Sequence, residues 1–109
     1  MAGSTTIARG NVQTEIILQV AILPPTVGAN TSVETSYPLP NAMPGDFIEI
    51  NKPSHTTGLS IGNVRVASAG VMAIQFVNNT ASPIVGTLES YLLVVSRFDG
   101  APGTPPAAI

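Results

Sequence analysis

Leu59-Ser60-Ile61-Gly62-Asn63-Val64-Arg65-Val66-Ala67, then Ser68-Ala69-Gly70, then Val71-Met72-Ala73-Ile74-Gln75-Phe76-Val77-Asn78 reads as two β-strands folded back on each other. Both arms are rich in β-branched residues, and a run of small residues separates them, with Gly70 free to take the left-handed conformation that ends a three-residue hairpin loop. A hairpin of this kind needs further strands to bury its apolar face, and the flanking sequence supplies them.

Upstream, Thr14 to Leu23 is dominated by Ile, Leu and Val, and Pro24-Pro25 stops it. Gly28-Ala29-Asn30 is a turn, and Thr31 to Tyr37 alternates so that Val33, Thr35 and Tyr37 share one face and Ser32, Glu34 and Ser36 the other. Pro44-Gly45-Asp46 carries turn chemistry before a short strand from Phe47 to Asn51, with Ile48 and Ile50 on one side and Phe47 and Glu49 opposite. Asn51 to Gly58 is a polar loop, Asn78 to Pro83 another, and Leu88 to Phe98 the final strand. Within that strand Tyr91-Leu92-Leu93-Val94-Val95 is apolar on both faces, as expected of a central strand or of one pressed against a second subunit. Short strands separated by regular turns predict an all-β fold, an antiparallel β-sandwich or jelly-roll-like barrel. The expected organisation is an extended arm over residues 1–13, a β-domain over 14–98 and a Pro/Gly-rich tail over 99–109.

Charged residues make up 9% of the 109 residues, against about 25% in an ordinary soluble protein. So little charge suits a surface partly covered by neighbours. The net charge of −2 comes with no basic tract, so neither nucleic acid nor an anionic membrane is an expected partner. No cysteine is present, which removes disulfides and thiolate metal sites, and no apolar run is long enough to span a bilayer.

Catalytic machinery is not legible. His55 is the single histidine, its neighbour Ser54 lies in no nucleophile elbow, and Asp46 and Glu49 fall on opposite faces of a strand. No phosphate loop, dinucleotide fingerprint or calcium loop occurs, so the expectation is a non-enzyme with no cofactor and no metal. Asn30 and Asn78 each begin an Asn-X-Thr/Ser triplet and read as turn asparagines. Phe47, Phe76, Phe98, Tyr37 and Tyr91, the whole aromatic complement, read as core.

Gly45-Asp46-Phe47 through Asn51-Lys52-Pro53, Gly58-Leu59, Asn63-Val64-Arg65-Val66 and Ile74-Gln75-Phe76-Val77-Asn78-Asn79-Thr80-Ala81 resemble small virion proteins of tailed bacteriophages, of the capsid decoration or cement kind. The likeness covers about half of the chain. It implies a β-rich homotrimer, assembled in the host cytoplasm, on the outer capsid surface of the virion and bound to the major capsid protein where capsomers meet. Under that reading the arms over residues 1–13 and 99–109 reach neighbours, and Arg9, Lys52, Arg65 and Arg97 are the positive groups available to acidic capsid surface. Ile7 and His55 are further candidate capsid or subunit contacts, and Leu92, Leu93 and Val95 candidate subunit contacts. A tail, baseplate or fibre-associated β-domain would use the same architecture. A host-surface or carbohydrate-binding module would use the Asn51 to Gly58 loop.

Overall fold

Alternation of β-branched residues with hydroxyl and amide side chains favours extended backbone, and six strands result in the computed structural model, which describes residues 12–99. They are β1 (Val12–Ile22), β2 (Thr31–Pro38), β3 (Phe47–Asn51), β4 (Leu59–Ser68), β5 (Val71–Asn78) and β6 (Glu89–Phe98). No helix occurs among the described residues. The expected arm and tail lie outside them except for Val12, Gln13 and Asp99, and so do Ile7 and Arg9.

Two antiparallel three-stranded sheets pack face to face, one ordered β1-β6-β3 and the other β2-β5-β4. The fold is therefore the β-sandwich of the two expected alternatives. Every connection except the β4–β5 hairpin crosses between the sheets. A bridge between Val27 and Ile84 ties two of these crossings together, with Val27 N–H donating to Ile84 O and Ile84 N–H returning to Val27 O, each at 2.9 Å. β6 is the central strand of its sheet, paired on both edges, but only one of its two apolar faces is turned to the core.

The hairpin turns more tightly than its sequence predicts. Ser68 pairs with Val71, leaving a two-residue turn at Ala69-Gly70, and Gly70 takes φ 75. The remaining residue is absorbed as a bulge at Ala67, and a second bulge falls at Gly62. Both lie on β4, an edge strand, where a lost rung costs little.

Facing rows fill the core. Tyr37, Met72 and Val66 form one row of the β2-β5-β4 sheet, and Val33, Phe76 and Ile61 another. From the opposite sheet, Ile22, Tyr91 and Leu93 meet them, all three fully buried. Complete burial of such side chains contributes about 1.5–3 kcal/mol each, and the chain has no disulfide to supplement it.

Asn78 closes one end of the core. It is buried, and its amide donates to Val27 O at 3.1 Å, Gly28 O at 3.0 Å and Ser82 O at 2.8 Å. Its oxygen accepts from Thr80 N–H at 2.8 Å and the Thr80 hydroxyl at 2.7 Å. Asn78 is thus the last inward residue of β5 as well as a loop-ordering residue, whereas Asn30, at φ 50, is a turn asparagine as expected.

Candidate interaction surface

The sandwich has two unlike outer faces. On the β2-β5-β4 sheet the outward rows are Ser36, Ala73, Arg65, then Glu34, Gln75, Asn63, then Ser32, Val77, Ser60. Arg65 reaches over Ala73 to Glu34 as a fork, Nε to Oε2 at 2.9 Å and Nη2 to Oε1 at 2.8 Å. That hydrogen-bonded pairing lowers the Glu34 pKa and raises that of Arg65. This face is wetted and internally satisfied.

The β1-β6-β3 sheet presents a different surface. Its outward rows are Glu15, Ser96, Phe47, then Ile17, Val94, Glu49, then Gln19, Leu92, Asn51. With neighbouring strands about 4.8 Å apart, Phe47, Val94, Ile17 and Leu92 make a diagonal apolar band. Phe47 is 78% exposed, Ile17 73% and Leu92 45%. Leu23 and Leu88, also exposed, follow directly on the paired ends Ile22 and Glu89. These large apolar side chains form one band rather than being scattered singly.

The expected contact residues divide accordingly. Leu92 lies in the exposed band, but Leu93 is fully buried and so is no subunit contact, while Val95 faces inward, partly buried, beside the groove under Ile16. Period-two alternation sends them inward, and the uniformly apolar run of β6 gives no polar residue to mark which half faces out. Phe47, expected in the core, is the most exposed large apolar side chain among the described residues, while Phe76 and Tyr91 are core as expected.

Lys52, Arg65 and Arg97, the described lysine and arginines, are engaged within the chain. Arg97 points inward and forks onto Asp46, Nε to Oδ1 at 2.9 Å and Nη2 to Oδ2 at 2.8 Å, and also donates to Asn41 O at 2.9 Å. Met43 N–H adds a bond to Asp46 Oδ2 at 2.9 Å. The Arg97 hydrogen bond, helped by Met43, holds the Asp46 carboxyl below the usual carboxylate range against the opposing effect of its burial. Lys52 donates to Ser54 O at 2.9 Å, Ser54 Oγ at 3.1 Å and Thr56 Oγ1 at 3.2 Å, and its ammonium sits 3.0 Å from Glu89 Oε1. Ser54 and Lys52 together depress the Glu89 pKa. Lys52, Arg65 and Arg97 therefore brace the fold, whereas His55 is exposed in its loop.

Glu89 Oε1 has the Lys52 ammonium 3.0 Å away, whereas Tyr91 has no such charge partner. Its hydroxyl is buried with no hydrogen-bond partner, and burial, then the charge of Glu89, pushes its pKa up to about 12. Among the described residues no group of three or more His, Cys, Asp or Glu could hold a metal ion. An open groove runs between the β3 and β4 edges, with Ile48, Ile50, Ile61 and Val64 along its walls. No family model, curated protein or solved structure matches the chain.

Proposed function

We propose that the protein is a non-enzymatic structural component of a tailed-phage virion, a decoration protein that binds the outer capsid and bridges adjacent copies of the major capsid protein. The phage setting rests on the motif likeness along Gly45 to Ala81. The observation that supports a binding role is the contrast between faces: a polar one closed by the Glu34–Arg65 pair, and an apolar band of Phe47, Ile17, Val94 and Leu92. The contact made by this face is apolar and shape-dependent, with Lys52, Arg65 and Arg97 already paired to carboxylates of the same chain. Repetition over a shell makes many such modest contacts slow to release together.

The test is localisation of the protein on intact virions by immunogold labelling, combined with occupancy of the double variant Phe47→Ser, Leu92→Ser. Label over the head, and reduced occupancy of a variant with unchanged circular dichroism, are expected. Label confined to the tail refutes the capsid assignment, and full occupancy by the variant refutes the face.

A further inference from the structure

Four strands form the edges of the two sheets, and three carry features that discourage pairing with another chain. β2 holds Glu34 and ends at Pro38, β3 is only five residues long, and β4 is bent by bulges at Gly62 and Ala67. β1 is the exception. It runs for 11 residues, its register shift is confined to Val12/Thr14, and Glu15 is its single charge. From Thr14 to Ile22 it pairs with β6, and no other strand among the described residues pairs with its opposite edge.

We propose that this edge binds β1 of a second copy, antiparallel about a twofold axis through Ile17, joining two three-stranded sheets into one of six strands. The pairing sets Ile17 opposite Ile17 of the second copy, Ile16 opposite Leu18, Glu15 opposite Gln19 and Thr14 opposite Val20. Every pair matches in face: Ile17, Glu15 and Gln19 are outward, and Ile16, Leu18, Thr14 and Val20 inward. The two carboxylates are kept apart, each beside an amide that can donate to it.

Exposure along β1 fits the same axis. Ile16 points inward yet is 48% exposed, beside a groove lined by Leu39, Pro40 and Ala42, whereas Val20 and Ile22 pack into the core. Antiparallel pairing about Ile17 lays the exposed half of each β1 beside the packed half of the other, so the second sheets of the two copies are staggered rather than opposed. Ile17, at 73% exposure, then lies at the centre of a doubled apolar band. A twofold strand pair replaces the threefold association implied by the motif likeness, since an isologous contact closes on two copies.

The full chain is examined by sedimentation equilibrium and by disulfide trapping. The sequence has no cysteine, so Ile17→Cys introduces a single thiol next to its own symmetry mate, at the short Cβ separation a disulfide requires. Glu15→Cys puts the two thiols about 13 Å apart, four residues out of register. A dimer mass, rapid crosslinking at position 17 and none at 15 are expected, and Ile17→Lys weakens the dimer about tenfold by removing the Ile17–Ile17 cross-strand contact and opposing two ammonium groups. A monomer or trimer mass, equal trapping at both positions, or an unweakened Ile17→Lys dimer overturns the proposal. A β1-linked dimer from a protein that labels no capsid would leave this inference standing and remove the decoration reading.

Discussion

Asn78→Ala tests whether one amide holds the crossover loops to the core. Of the groups it contacts, Val27 O still accepts from Ile84 N–H, and Ser82 O still accepts from the Thr80 hydroxyl at 2.9 Å. Gly28 O and Thr80 N–H lose the partners described above. Two partly buried backbone groups left unsatisfied cost about 1–3 kcal/mol each, so about 3 kcal/mol in total is expected once partial rehydration is allowed for. For a domain of this size that lowers the melting temperature by about 12–24 °C. Urea unfolding followed by circular dichroism gives the free energy directly, provided the m-value is unchanged. Asn78→Asp should cost more than Asn78→Ala at neutral pH, because a carboxylate oxygen replaces the amide NH2 against three carbonyl oxygens. A loss below about 1 kcal/mol for Asn78→Ala, or an aspartate variant no worse than the alanine one, would refute the reasoning.

Further outcomes follow from other groups. Asp46→Ala, which strands the Arg97 fork and Met43 N–H, is expected to cost about 2–4 kcal/mol, whereas Glu34→Ala breaks an exposed, solvent-screened pair and should cost far less; chemical denaturation should separate them. The depressed pKa values of Asp46, Glu34 and Glu89 mean that the unfolded chain takes up protons first on acidification. Stability from these groups is therefore complete above the ordinary carboxylate range and falls as pH drops through their folded values, a decline that Asp46→Asn should flatten in a pH series of urea midpoints. Tyr91→Phe deletes a buried hydroxyl without a partner and should leave stability unchanged or raised at neutral pH, which thermal unfolding will show. Gly86→Ala would set a Cβ 2.7 Å from Pro24 O and 2.6 Å from Pro24 Cβ, and should cost more in melting temperature than Gly70→Ala, where the added carbon meets nothing within 4 Å and only the positive φ is penalised.

Much of the architecture was legible because strands and turns are written locally. Phe47 to Asn51 and Val71 to Asn78 were read with their observed ends, and the Ile48/Ile50 face was assigned correctly from alternation. What failed was anything set by the partner across the core. The run from Tyr91 to Val95 is apolar on both sides, so Leu93 and Leu92 look equivalent until packing buries one and exposes the other. Arg65 meets a carboxylate 31 residues away and Arg97 one 51 residues away, separations at which sequence shows two isolated charges. Asn78 carries the same triplet signature as Asn30, and only the convergence of three carbonyls distinguishes them. The sheet order, from which the exposed band and the open β1 edge follow, is likewise a nonlocal outcome.

The register of β1 against β6 puts Val12 beside Phe98, so the first and last strands have their outer ends at the same corner of the sandwich. Tension applied between those two ends would peel the antiparallel pair one rung at a time, a zipper geometry with little mechanical resistance. Tension entering through one sheet and leaving through the other would instead strain the whole packed core at once. A protein of this topology withstands force when gripped across its faces and yields when pulled from its two ends.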